Sequence, residues 1–256
     1  MRQNTLENTI KSNKSLNHLE QVAYGNIGDL MRPIIGVLLR PNRNLDNQDI
    51  FSLNKEIADM IIRKGGIPVG IVPPYIEYFY EKTFETSKVM RDEDFKAMQE
   101  TLNRCDGMIL QGGLDFYDYD IRTIRYLYEQ DIPTLGICLG MQTMGVAFDG
   151  TVDTIGNLDH KKKESFAHDV YLRPDSKIAK LLNKTCIKVN SRHKDMLDST
   201  TLDIVGYSGD GVIEAIEDSS KEFFIGVQWH PESLISFDEN SNLLMEAFIN
   251  SARKLS

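Results

Sequence analysis

The chain has 256 residues, 41% of them hydrophobic, which is enough for a sizeable core and too many for wholesale disorder. Its net charge of −9, from 38 acidic against 29 basic residues, argues against a general nucleic-acid or anionic-membrane surface. Three cysteines without paired spacing (Cys105, Cys138 and Cys186) imply neither a disulfide framework nor a C-x-x-C zinc motif.

Residues 1–32 are rich in Asn, Ser and Lys and read as a polar extension, with a short helix expected near 16–23. They hold no apolar core long enough for a signal peptide, and no later stretch approaches the roughly 18 apolar residues of a membrane span. A cytoplasmic location is the expectation. Regular structure is expected from Pro33, as one domain over 33–256 that opens on the buried strand Ile34-Ile35-Gly36-Val37-Leu38-Leu39. Apolar spacing predicts a helix over 50–64, closed by Gly65-Gly66, then a strand over 67–72. Further helices are expected over 92–103 and 121–129, each followed by a buried strand, at 108–110 and 133–137. Strands alternating with helices imply βαβ units and a mostly parallel sheet flanked by helices, an α/β fold.

Beyond about residue 150 the texture changes to short β-like runs at 167–172, 186–190, 204–207, 212–216 and 223–229. They suit an antiparallel extension of the sheet, with a closing helix near 242–254. The charge run Lys161-Lys162-Lys163 reads as a solvated loop.

Chemistry concentrates in three places. In Gly136-Ile137-Cys138-Leu139-Gly140 an apolar strand runs into G-x-C-x-G and an apolar helical start, the Cys form of a nucleophile elbow. Both glycines suit a crowded turn, and a thiol at a helix N-terminus is favoured as thiolate. In Gln228-Trp229-His230-Pro231-Glu232 a strand delivers a histidine, and in extended backbone Glu232 would lie on the same side and orient the imidazole as the base for Cys138. In Leu110-Gln111-Gly112-Gly113 a buried strand ends on two glycines, where backbone N–H groups could meet an oxyanion together with that of Leu139.

In chain order, the Gly-Gly strand end, then the Cys elbow, then the late Q-W-H-P-E, the three motifs resemble class I glutamine amidotransferases, whose fold has a flavodoxin-like core. Within that superfamily the chain looks most similar to the gamma-glutamyl hydrolases, including gamma-glutamyl-gamma-aminobutyrate hydrolases. Val189-Asn190-Ser191-Arg192-His193 resembles that group's V-N-S-x-H loop, and Asp210-Gly211-Val212-Ile213-Glu214-Ala215 its D-G-x-x-E-A strand. The resemblance implies a triad of Cys138, His230 and Glu232, oxyanion donors at Gly112, Gly113 and Leu139, and a glutamyl pocket lined by Gln142, Asn190, Ser191, Arg192 and His193. His193 either meets substrate or is a structural loop histidine. His168, in a β-like run, reads as structural, and His18 and His160 carry no motif. No His/Cys/Asp spacing suggests a metal, and no cofactor is implied.

The chain departs from the group in two places. Leu139 stands where the hydrolases usually have Arg, as in many amidotransferase subunits. The loop 114–120, LDFYDYD, is short and acidic-aromatic, lacks the group's Arg-Asp pair and keeps only Asp120 at an expected acidic position. A cationic or amine-bearing leaving group would suit Asp115, Asp118 and Asp120 by Coulomb attraction. The implied activity is hydrolysis of a small-molecule gamma-glutamyl amide through a thioester, in a chain that could form a homo-oligomer. A glutaminase subunit serving a separate synthetase is the first alternative, and a non-catalytic ligand-binding member of the fold the second.

Overall fold

The computed structural model describes residues 32–74, 90–156, 160 and 165–253. The helix expected at 16–23, the rest of the extension up to residue 31 and the lysine run 161–163 lie outside the described residues. In chain order the strands are β1 (Ile34–Leu38), β2 (Arg40–Arg43), β3 (Asp49–Ser52), β4 (Ile67–Ile71), β5 (Gly107–Leu110), β6 (Thr134–Ile137) and β7 (Thr151–Thr154). They continue with β8 (His168–Leu172), β9 (Cys186–Val189), β10 (Asp195–Ser199), β11 (Asp203–Ser208), β12 (Ile213–Glu217) and β13 (Phe224–Val227). The helices are α1 (Lys55–Arg63), α2 (Asp92–Leu102), α3 (Asp118–Glu129), α4 (Leu139–Ala147), α5 (Lys177–Leu182) and α6 (Glu239–Ser251).

Among the described residues, nine strands form one sheet in the order β4-β1-β5-β6-β13-β12-β11-β8-β9. The first five are mutually parallel, and from β12 onward every pairing is antiparallel. The expected α/β architecture with its antiparallel extension is therefore what the chain adopts.

Alternation along the strands divides the core between the two faces of the sheet. Ile35, Val37, Leu135 and Val227 pack on one face with residues of α1, α5 and α6. Leu38, Met108, Leu110 and Phe224 pack on the other with residues of α2, α3 and α4. Helix α4 is buried on almost every side, as its apolar sequence requires.

Two expectations about boundaries are corrected. The helix expected over 50–64 is shorter, because Asn54 caps α1 by accepting the Glu56 N–H, and the apolar residues before it belong to a β2–β3 hairpin. The acidic-aromatic loop is also shorter than expected: Asp118 and Asp120 already lie in the first turn of α3. The Asp120 carboxylate turns back to accept the Tyr117 N–H at 3.0 Å. Arg32, the last residue of the expected extension, donates to the carbonyls of Gly65 and Gly66 at 3.2 and 2.8 Å.

Candidate active site

Three neighbouring parallel strands, β5, β6 and β13, end on the same edge of the sheet and deliver Gly112-Gly113, Cys138 and His230 respectively. Cys138 joins β6 to α4 with φ 53° and ψ −107°, a left-handed backbone that side chains rarely adopt. Its N–H donates to Val227 O at 2.8 Å, fastening the elbow to the strand that carries the histidine. The turn is possible because of its two glycines. A Cβ on Gly140 would stand 2.0 Å from Leu110 O, and one on Gly136 only 2.9 Å from the Gly140 carbonyl carbon and the Met141 nitrogen.

His230 Nδ1 lies 2.7 Å from Glu232 Oε1. The contact is made differently from the sequence expectation. Pro231–Ser233 is a 3₁₀ turn with Pro231 in its first position, so the carboxylate reaches the ring across that turn and not along extended backbone. Burial works to lower the His230 pKa, but hydrogen bonding and attraction to Cys138 and Glu232 outweigh it and push it up to about 10. A Cβ on Gly112 would lie 3.1 Å from His230 Cε1 and 3.6 Å from Cys138 Cβ, and one on Gly113 would lie 2.8 Å from Leu139 Cδ2. Gly112 thus borders Cys138 and the imidazole, and Gly113 borders Leu139.

The other residues that sequence singled out divide into supports and surface. Asn190 holds the backbone of His230 from both sides, accepting its N–H at 2.8 Å and donating to its carbonyl at 2.9 Å. Gln142 is buried and donates to Gln228 Oε1 at 3.0 Å and to Asp195 O at 2.8 Å. Gln228 in turn points its amide nitrogen at Cys138 Sγ, 3.5 Å away. Ser191 is fully buried and donates to His160 O at 2.7 Å, His193 is buried beside Glu214, and Arg192 is exposed.

Sequence reasoning gave no separate role to Gln228, which directly follows β13. It also missed Arg40. That guanidinium, buried, contacts both oxygens of the buried Asp120 carboxylate at 2.8 and 2.6 Å, so a long-range Arg–Asp pair exists where the local one is lacking. A cleft of about 400 Å³ opens beside the Gly112-Gly113 turn, lined also by Arg40, Leu114, Asp115 and Tyr117. Of the three carboxylates expected to attract a cation, Asp120 is spent on Arg40, Asp118 accepts the Met90 N–H at 2.9 Å, and only Asp115 lines the cleft. The described residues contain no helix long and apolar enough to cross a membrane.

Residues 117–232 match the Peptidase C26 family. A protein of Rickettsia prowazekii described as glutamine amidotransferase-like is 26% identical over 79% of this chain and 92% of its own length. A CTP synthase of Porphyromonas gingivalis is 29% identical over 60% of this chain, which spans only 35% of that enzyme. Among solved structures, the CTPS glutaminase domain of Trypanosoma brucei with bound acivicin superposes with a TM-score of 0.59 at 17% identity, covering 88% of this chain and 96% of that one. The fold is that of the class I glutamine amidotransferases, and these matches support that superfamily.

Proposed function

We propose, from this fold and the arrangement at the end of β6, that the chain is a cysteine amidohydrolase cleaving the gamma-glutamyl amide bond of a small compound. The observation that carries the reading is the chain of contacts from Glu232 through His230 to Cys138. A carboxylate 2.7 Å from the far ring nitrogen holds an imidazole whose proton affinity is raised by the thiol itself. Such an imidazole is suited to hold the proton of the attacking sulfur.

The thiolate attacks the gamma-carbonyl carbon and a C–S bond forms. The carbonyl oxygen, now negative, lies between the Gly112-Gly113 turn and the Leu139 amide, where each donor is typically worth about 10²–10³ in rate. The imidazolium of His230 passes its proton to the amine nitrogen as the C–N bond breaks, leaving a thioester. A water then attacks the thioester, giving its proton to His230. The C–S bond breaks, and glutamate departs with the thiolate–imidazolium pair restored. Glu232 keeps the ring in place throughout.

The likeness to CTP synthases and to a glutaminase domain favours a second reading, in which the amine is ammonia and a separate synthetase consumes it. A panel of gamma-glutamyl amines and glutamine, given to the purified chain alone, separates the two. Faster glutamate release from an amine conjugate than from glutamine, abolished in Cys138→Ala, is the expected result. Glutaminase activity that emerges only beside a synthetase would select the second reading. A chain inert on the whole panel, with Cys138 no more reactive to iodoacetamide than a free thiol, would remove both.

A further inference from the structure

Away from the thiol, four side chains from four separate segments converge. They are His160 from the segment after β7, His168 from β8, His193 from the loop after β9, and Glu214 from β12. Glu214 is fully buried in the sheet, and neither of its carboxylate oxygens has a hydrogen-bond partner of good geometry; burial works to raise its pKa, and the nearby His160 and His193 hold it down. One of them, Oε1, faces three ring nitrogens: His160 Nδ1 at 3.4 Å, His168 Nε2 at 3.4 Å and His193 Nε2 at 3.6 Å. The inward nitrogens of His168 and His193 are likewise buried without a hydrogen bond.

The outer nitrogens explain why. His160 Nε2 lies 3.1 Å from the Asp210 carboxylate, His193 Nδ1 lies 3.1 Å from Asp195 O, and His168 Nδ1 lies 3.3 Å from Asp169 O. Each of those partners is an acceptor, so each outer nitrogen carries the N–H. A neutral imidazole has one donor nitrogen and one acceptor nitrogen, so the inner three present lone pairs. With all three rings neutral, three lone pairs and a carboxylate point at one another with no donor among them, whereas a proton on His160, whose pKa burial works to lower but Glu214 and Asp210 raise, would supply one. In a buried place the neutral arrangement is strongly unfavourable unless a cation supplies the missing positive charge.

We propose that His160, His168, His193 and Glu214 form a four-coordinate site for a divalent transition-metal ion of zinc type. Zinc takes neutral imidazole nitrogen and carboxylate oxygen at about 2.0–2.2 Å, so neighbouring ligand atoms in a tetrahedron stand roughly 3.3–3.4 Å apart. Two of the three His–Glu separations, both 3.4 Å, match that edge, the third is 3.6 Å, and all four ligand atoms lie within 4.8 Å of one another. The outward hydrogen bonds are those that fix ring tautomer around a bound metal. Four protein ligands leave no open position, so the ion is structural.

Such an ion has a consequence for the catalytic edge. The loop that carries His193 begins with Asn190, which clamps His230, and Glu214 O accepts the Gln228 N–H at 2.8 Å. The ion would tie together the two segments that hold the base and Gln228. Sequence could not reveal the site, because no two of its ligands fall in one short motif.

The test uses the full chain stripped with a chelator, dialysed against zinc sulfate and returned to metal-free buffer. Metal content is read by mass spectrometry, and Co²⁺ loading by its visible d–d bands. A single zinc per chain, an intense tetrahedral cobalt spectrum and a melting temperature that falls on chelation are expected. His168→Gln and Glu214→Gln should each lose the zinc, while Cys138→Ala keeps it. The proposal is overturned if the parent chain retains no zinc, if both cluster variants retain it as the parent does, or if Cys138→Ala alone loses it. Chelation of the parent needs no variant to fold, and none of these readouts depends on the amidohydrolase reading.

Discussion

Asn190 uses both ends of its carboxamide on one residue: Oδ1 accepts the His230 N–H and Nδ2 donates to the His230 carbonyl. The clamp fixes where the strand β13 releases its histidine, immediately before Pro231 turns the chain. Truncation by Asn190→Ala should let the ring drift, and a displacement of the order of 1 Å costs about 10²-fold in rate. The loss is expected in kcat, with KM nearly unchanged, because the clamp points at backbone. Asn190→Asp keeps the acceptor and loses the donor, so an intermediate kcat is expected. Equal kinetics for Asn190→Ala and the parent, in protein of native circular dichroism, would remove the positioning role.

The raised His230 pKa fixes the direction of a pH effect. A histidine whose folded value exceeds its unfolded value, near 6.5, adds stability that is complete below about 6.5 and lost as pH rises through about 10. Glu232→Gln removes one of the two groups that raise it, so the alkaline end of that window should move down. Ring NMR of the parent should show His230 titrating near 10, and of Glu232→Gln at a lower pH. A parent ring that titrates near 6.5 would contradict the thiolate–imidazolium reading.

How much of this was legible in the sequence depends on contact range. Cys138 stands between two glycines, Gly136 crowded by the start of α4 and Gly140 by the Leu110 backbone, and His230 and Glu232 are two residues apart, so each signal is local. The sheet was legible for a similar reason, since runs such as Ile34–Leu38 need only their own composition to declare a buried strand. Arg40 meets Asp120 across 80 residues, and Gln142 meets Gln228 across 86, so neither pair leaves a spacing that a single sequence can display. In the loop 114–120 all three aspartates read alike as partners for a cationic leaving group, because charge is visible in sequence and burial is not. The short ladders β2–β3 and β7–β10 escaped because strands of four or five residues carry too few alternations to be told from loop.

The Arg40–Asp120 pair gives a stability prediction. Both side chains are buried, and removing one partner of a buried pair typically costs about 3–5 kcal/mol because the other charge is stranded. For a domain of this size that is a fall of roughly 6–20 °C in melting temperature for Asp120→Ala. Arg40→Met with Asp120→Leu removes both charges together and should recover most of the loss. A double variant as unstable as the single would mean that packing, and not a stranded guanidinium, sets the cost.

Gly140 and Gly112 separate folding from catalysis. Alanine at 140 would place its Cβ 2.0 Å from the Leu110 carbonyl oxygen, and two backbones meet there with no flexible side chain to yield. Helix α4 would have to lift from β5, so Gly140→Ala is expected to be insoluble or severely destabilised. Gly112 has no positive φ, so alanine fits its backbone, and the nearest atom to the new Cβ is His230 Cε1 at 3.1 Å. The ring must give by a few tenths of an ångström, which the fold tolerates and the proton transfer does not. Gly112→Ala should therefore melt close to the parent, alkylate more slowly at Cys138 and lose on the order of 10²-fold in kcat. Parent-like turnover in a folded Gly112→Ala protein would place the working imidazole somewhere other than against this turn.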